Sequence, residues 1–305
     1  MTVPFRKPPA APPSWVTEKI WQEIEATGTD TFLAAWSPSL RLERWGTTLR
    51  AIATQPNPPP CDELLLKLPP GFRWKAGRVI WQVEGERMAR HLRGEGWTVE
   101  VQELGLRYGI DLTPGTAPGL FPDQRENRAL LRSRRPVSLL NLFAHTCAFG
   151  VLAASVGATT LNIDTSARAL ERGRENFRRN QLTERDHRFW KEDVRKALPR
   201  LHRRGETFDA IILDPPTFAH GGRGRAFRIE KEIGPMLTTC LQLLRPTGAL
   251  LVSINESHTA WGDLEGQIHH LLRCAKISAR LESSRRPPEV PAIRMPAGVW
   301  VFRED

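Results

Sequence analysis

No run of about 18 consecutive apolar residues occurs in the chain, which argues against a hydrophobic transmembrane helix. The opening MTVPFRKPPAAPPSW is proline-rich and lacks the apolar core of a secretory signal, so a cytoplasmic protein is expected, with no membrane partner. The four cysteines, Cys61, Cys147, Cys240 and Cys274, show no CxxC or Cys/His ligand spacing. That scatter excludes a disulfide framework and a zinc site, and no metal is expected. Internal repeats are absent as well. What remains is ordinary globular composition: 305 residues, 40% hydrophobic and 26% charged, enough for one large or two medium domains.

Charge is the first positive signal. Lys+Arg number 44 against Asp+Glu 34, a formal +10 with a pI near 10.1. Such an excess draws polyanions through phosphate neutralisation, although a solvated basic surface gives the same count. The ten tryptophans mostly fall singly at apolar positions and read as packing residues.

Three regions are expected: a tail and helical segment over 1–60, a small α+β module over 61–120, and a larger domain over 121–305. Val16, Ile20, Trp21 and Ile24 follow a helical period with Ser14 as its cap, and the proline run at 55–60 breaks the chain. The spacing then predicts strands at 64–68 and 79–83, a helix around 86–93, and strands at 97–102 and 106–112. FPDQRENR at 121–128 opens a helix. From Val137 the pattern alternates. Strands VSLLNLF (137–143), TTLNID (159–164), RFWKED (188–193), FDAIILD (208–214) and ALLVSIN (249–255) are separated by helical stretches. VPAIRMP and GVWVFR close the chain as a strand pair. This rhythm predicts a parallel, doubly wound α/β sheet with its ligand at the strands' carboxyl ends.

The turn after the first of those strands reads NLFAHTCAFG (141–150), not GxGxxG, so the dinucleotide fingerprint is missing. Glycines let backbone approach a pyrophosphate; S-adenosylmethionine (SAM) carries no phosphate and needs them less. Asp164, ending the second strand, is placed to accept ribose hydroxyls, which SAM and NAD share. Asp193, ending the third, is placed for an adenine amino group. Either aspartate also suits a helix cap. The fourth strand ends in DPPTF (214–218). Its two prolines remove backbone donors and stiffen a turn that directs carbonyl oxygens into the site. Phe218 is placed to stack on a flat base.

NLFAHTCAFG, NIDTSARALERGRENFRRN, KEDV and FDAIILDPPTF in this order resemble the class I RNA methyltransferases related to the bacterial large-subunit ribosomal RNA 5-methylcytosine and 7-methylguanine enzymes. GLRYGIDLTPGTAPGLFPDQRENR extends the likeness upstream, so it covers about 104–255, and the first hundred residues stand outside it. It implies a Rossmann-like class I methyltransferase sheet behind a small, mostly β module, with SAM as cofactor and ribosomal RNA as substrate. It further implies cofactor contacts from Gln124, Arg125, Phe143, His145, Thr146, Phe149, Asp164, Asp193 and Asp214, with Arg125 on the methionine carboxylate. Asp214, Pro215, Phe218 and Asn255 form the expected catalytic group. The family's loop glycine is Cys147 here. No cysteine stands at the end of the fifth strand, where cytosine C5 chemistry needs a thiolate, so guanine N7 is favoured. Arginines crowd 168–204, and HGGRGR (220–225) adds a basic loop. Competing readings are a small-molecule or protein methyltransferase and a catalytically silent RNA-binding protein on the same fold.

Overall fold

The computed structural model describes residues 14–66, 76–86, 88–216, 229–254, 264–291 and 297–304. The chain divides into two compact units, 1–118 and 119–305.

In the first unit, strand β1 (Ser14–Trp15) precedes helix α1 (Glu18–Ala26). The helix starts where Thr17 Oγ1 accepts the Ile20 N–H at 3.3 Å, one turn later than the Ser14 cap expected, because Ser14 and Trp15 pair with the next strand. Trp21 and Ile24 share one face and are buried. Residues 31–53, expected to continue a helical segment, form the antiparallel strands β2 (Thr31–Ser37), β3 (Leu40–Trp45) and β4 (Thr48–Ala53). All six residues of β4 are buried. It pairs in parallel with β5 (Arg78–Val83), a connection that requires a crossover.

That crossover contains the proline run and helix α2 (Cys61–Leu66), so position 60 joins two halves of one sheet rather than separating two modules. The strand expected at 64–68 is the end of α2 as far as Leu66 (67 and 68 lie outside the described residues). Three leucines in a row do not distinguish the two periods, and the Leu64 N–H bond to the Pro60 carbonyl closes a helical turn. The helix expected around 86–93 is instead strand β6 (Ala89–Arg93), paired with β5. Hairpin β7 (Thr98–Glu103) and β8 (Leu106–Asp111) completes the unit.

The second unit opens with a 3-10 turn (Pro122–Gln124) running into helix α3 (Arg125–Arg134). Strands and helices then alternate: β9 (Ser138–Leu142), α4 (Ala148–Ala154), β10 (Thr159–Asp164), α5 (Ala167–Arg179), β11 (His187–Lys191), α6 (Val194–Arg203) and β12 (Phe208–Leu213). Helix α7 (Ile229–Leu243), β13 (Leu244–Ile254), α8 (Leu264–Ala275), β14 (Ala279–Ser283) and β15 (Ala297–Arg303) follow. The sheet order is β11-β10-β9-β12-β13-β15-β14, parallel through β13, with β15 antiparallel to both its neighbours. GVWVFR is therefore a closing strand, but its outer partner is Ala279–Ser283. Of VPAIRMP, residues 292–296 lie outside the described residues.

Because β10 and β12 flank β9, the order reverses there, and the crevice at the carboxyl ends of β9 and β12 is the topological switch point. Ile211, Ile212 and Leu213 of β12 and Leu250, Leu251 and Val252 of β13 are buried, as strands covered on both faces require. Two buried amides interrupt the apolar sheet. Asn141 Nδ2 donates to Asn162 Oδ1 at 2.9 Å, and Asn162 Nδ2 donates to Thr160 Oγ1 at 2.9 Å, so their burial leaves these groups paired. Gly150 makes room for them: a Cβ there would overlap the Asn162 amide. Among the described residues no helix is long and apolar enough to cross a membrane.

Candidate functional site

The loop leaving β9 carries three left-handed non-glycine residues within five positions: Phe143 (φ 56°), His145 (φ 48°) and Cys147 (φ 62°). Each costs on the order of 1 kcal/mol, so something must hold them. The Ala144 N–H donates to the Ile163 carbonyl at 2.9 Å, the Cys147 N–H to the Ala144 carbonyl at 2.7 Å, and the His145 N–H to Asp164 Oδ2 at 2.8 Å. Thr146 Oγ1 donates to the Gly119 carbonyl, and Asn176 Nδ2 donates to the Thr146 carbonyl at 3.1 Å. Cys147 sits where the resembled family has glycine, and its positive φ is the conformation glycine adopts freely. Gly173 on α5 makes that substitution possible: a Cβ at 173 would lie 2.5 Å from Cys147 Sγ.

Asp164 ends β10 beside this loop. Its Oδ1 accepts the Ser166 N–H at 2.8 Å and its Oδ2 the His145 N–H, leaving one lone pair on each oxygen for further donors. The half-buried His145 ring packs against Phe121 at 5.5 Å between centroids, and its Nδ1 is buried with no partner among the described residues. Burial lowers the pKa of this histidine, partly opposed by Asp164 and assisted by Arg172, which favours the neutral imidazole. An orphaned nitrogen beside a carboxylate with spare acceptor capacity suits a ligand bearing hydroxyl and amine donors, which is the chemistry of an adenosyl group. Phe149 is buried, with the Arg128 guanidinium 5.4 Å from its ring.

Asp193 caps α6. Its Oδ1 accepts the Arg195 N–H at 2.9 Å, and the Arg195 side chain grips both oxygens, the shortest contact being 2.6 Å. The Arg195 hydrogen bond holds the Asp193 carboxyl below its ordinary value. In this structure its partners are protein groups.

At the end of β12, Asp214 is half-buried, Pro215 buried and Pro216 exposed. Burial pushes the Asp214 carboxyl up to about 7, and the Ser253 hydrogen bond opposes that rise. Asp123 pushes the same way as burial, and Arg128 opposes it. Phe218, Asn255 and the basic loop 220–225 lie outside the described residues.

Gln124 and Arg125 stand differently from the direct cofactor contacts expected. Gln124 Nε2 donates to Ser253 Oγ at 2.8 Å, and Gln124 Oε1 accepts from Asn127 at 2.7 Å. Arg125 faces Glu289, not an open pocket: Nη1 and Nη2 reach the two carboxylate oxygens at 2.6 and 2.9 Å. Those side chains are 2% and 0% exposed. Ser253, Asn127 and Glu289 are absent from the expected set. A serine near the end of the apolar strand LLVSI was the available signal for the first; nothing local marks Glu289.

Burial pushes the Cys147 and Cys240 thiols up, away from the thiolate. Among the described residues no cluster of three His, Cys, Asp or Glu could hold a metal.

A basic edge borders this end of the sheet. Residues 165–206 carry thirteen basic against seven acidic side chains. The half-buried Trp190 of edge strand β11 has the guanidinium groups of Arg200, Arg188 and Arg204 at 4.6, 5.6 and 5.9 Å. Arg188 also pairs with Glu206, and Arg200 with Glu192.

A family model described as S-adenosylmethionine-dependent methyltransferase matches residues 79–303. "Ribosomal RNA large subunit methyltransferase I" of Shewanella denitrificans is 38% identical over 155 residues, 50% of this chain and 38% of that protein. The aligned part is thus well under half the length of that relative. A solved methyltransferase complexed with SAH matches with TM-score 0.73 at 20% identity, covering 93% of this chain and 80% of its own. The SAM-dependent methyltransferase from Agrobacterium tumefaciens matches with TM-score 0.70 at 22% identity, covering 88% of each chain.

Proposed function

The chain belongs to the S-adenosylmethionine-dependent methyltransferase family, and from that premise we propose that it methylates a base in ribosomal RNA, with guanine N7 the favoured atom. The observation that carries this reading is a pair of carboxylates at the carboxyl end of the sheet, on the two strands that flank β9. Asp164 ends β10 with acceptor capacity to spare, and Asp214 directly follows β12 on the other side of β9.

S-adenosylmethionine supplies an electrophilic methyl group on a sulfonium. Asp164 accepts the ribose hydroxyls, and the loop from Phe143 through His145 and Thr146 to Phe149 encloses the adenosyl group. Asp193 lies at the neighbouring strand end, towards the adenine. Gln124 and Arg125 support the site from behind, through Ser253 and Glu289.

On the substrate side, Asp214 reads the edge of the target base and Pro215 presents its carbonyl. Phe218 stacks on the base, and Asn255 adds a second polar contact to its edge. Guanine N7 has a free lone pair, so no general base or covalent intermediate is needed, and positioning supplies much of the rate. The sequence after β13, NESH, carries no cysteine, which agrees with this choice over cytosine C5. The basic edge around Trp190 suits the flanking RNA backbone.

Calorimetric titration with SAM, beside NAD as control, tests the cofactor half. SAM binding that is lost in Asp164→Ala is the expected outcome. Mapping methylated nucleotides in ribosomal RNA from a deletion strain tests the substrate half, with one unmethylated guanine expected. A full complement of methylated bases in that strain would exclude the RNA reading.

A further inference from the structure

Behind Asp214 runs a chain of buried side chains whose hydrogen-bond directions are all determined from one end. The Trp300 indole N–H can only donate, and it lies 2.9 Å from Asn127 Oδ1. The backbone N–H of Arg285 donates to the same oxygen at 2.9 Å. Asn127 therefore presents its amide nitrogen to Gln124, donating to Oε1 at 2.7 Å. With that oxygen used, Gln124 presents its own amide nitrogen to Ser253 Oγ at 2.8 Å. The Ser253 oxygen is thus an acceptor on this side, which leaves its single proton for a neighbour, and the parallel register that pairs Leu213 with Val252 sets Asp214 beside it. Trp300, Asn127, Gln124 and Ser253 are 0, 0, 3 and 1% exposed, so bulk water does not compete for these bonds.

We infer that the Trp300–Asn127–Gln124–Ser253 chain is a polarised wire that makes Asp214 a hydrogen-bond acceptor and thereby selects a target base presenting N–H donors. The inference rests on the reading above, in which Asp214 faces the base. Asp214 ends a strand whose carboxyl is withdrawn from water, a setting that favours the protonated form; the Ser253 proton opposes this. An ionised Asp214 offers acceptors only. Guanine answers with two donors, N1–H and the N2 amine, while N7 on the opposite edge stays open to the methyl group. Cytosine places an acceptor, N3, beside its amine, and a carboxylate there meets a lone pair. Ser253, Gln124 and Asn127 are positioning residues in this scheme, because they act through Asp214.

The wire is tested on the full chain without substrate by following the Asp214 carboxyl with carbon-13 NMR across pH, its resonance identified with Asp214→Asn. Ser253→Ala raises the titration midpoint by roughly one pH unit, the loss of one hydrogen bond to a charged group. Gln124→Met gives a smaller rise, and Ser253→Thr, which keeps the hydroxyl, restores the wild-type midpoint. Selectivity is then read as the ratio of methyl transfer to an RNA oligonucleotide carrying the mapped target as guanosine or as inosine, which lacks the N2 amine. The wild type prefers guanosine, and Ser253→Ala narrows that preference several-fold at pH 7. A midpoint unchanged in both Ser253→Ala and Gln124→Met overturns the wire, whatever is methylated. Equal transfer to inosine with the titration behaving as expected overturns the selectivity while leaving methyl transfer to RNA standing.

Discussion

The buried Arg125–Glu289 pair gives a sharp energetic test, because it occupies a place where a cofactor contact was expected. Its two bonds of 2.6 and 2.9 Å join side chains 2% and 0% exposed. Glu289→Ala removes both of these bonds and leaves the guanidinium its 3.1 Å bond to Glu126, a change that costs about 1.5–3 kcal/mol. In a unit of this size that is a loss of about 3–12 °C in melting temperature. Replacing both residues together, Arg125→Met with Glu289→Leu, removes the buried pair as a whole and brings the loss back to within about 1 kcal/mol of the wild type.

Urea unfolding followed by circular dichroism measures all three variants. A Glu289→Ala loss below about 1 kcal/mol would refute the argument, since the bond to Glu126 or water would then replace Glu289 at little cost. The same experiment repeated with SAM decides whether Arg125 ever turns to a carboxylate of the cofactor. A ligand at 100 times its Kd stabilises by about 2.7 kcal/mol. If Arg125 stays with Glu289, SAM stabilises the wild type strongly and Glu289→Ala no more than that. If Arg125 reaches the cofactor, SAM stabilises Glu289→Ala by distinctly more than the wild type.

Gly173→Ala drives a methyl group to 2.5 Å from Cys147 Sγ, and overpacking of this kind costs about 1–3 kcal/mol. Adding Cys147→Gly removes the obstructing sulfur and relieves a left-handed non-glycine residue, so thermal unfolding should show the double variant more stable than Gly173→Ala alone. On the basic edge, replacing Arg188, Arg200 and Arg204 by glutamine should weaken RNA binding at least about tenfold at low salt. It should also flatten the slope of log K against log salt by about two, at 0.7 per phosphate contact on a single strand. A slope identical to that of the wild type would place the RNA elsewhere.

The second unit was legible because its strands are unambiguous. VSLLNLF, TTLNID and FDAIILD are apolar runs bounded by turns, and a parallel sheet covered on both faces requires such runs. Residues 31–53 carry no comparable signal. TFLAAWS is buried at six of its seven positions, so neither the period of a helix nor that of a half-buried strand emerges. The segment 86–93 failed for the opposite reason. Its glutamate and arginines favour a helix locally, and pairing of Ala89–Arg93 with β5 overrides that preference. At position 60 the prolines do interrupt regular structure, but only the pairing of residues 48–53 with 78–83 shows that the interruption lies inside one sheet.

The candidate site divides along the same line. Asp164 and Asp214 are legible as candidates because each stands at the end of a recognisable strand, and strand ends are where an α/β sheet holds its ligand. Gln124 and Arg125 enter only through the resemblance, and local sequence says nothing of what they touch. Their partners, Ser253 and Glu289, lie 129 and 164 residues further along the chain. A QR pair at a helix start reads naturally as two outward-facing polar groups, and only the folded chain brings β13 and the segment before β15 against it. That difference bears on mechanism. A glutamine exposed to a ligand would contribute one hydrogen bond, whereas a glutamine with both ends of its amide committed transmits direction from Trp300 to Asp214. The residue type is the same in both cases, and its function depends on which neighbours the fold supplies.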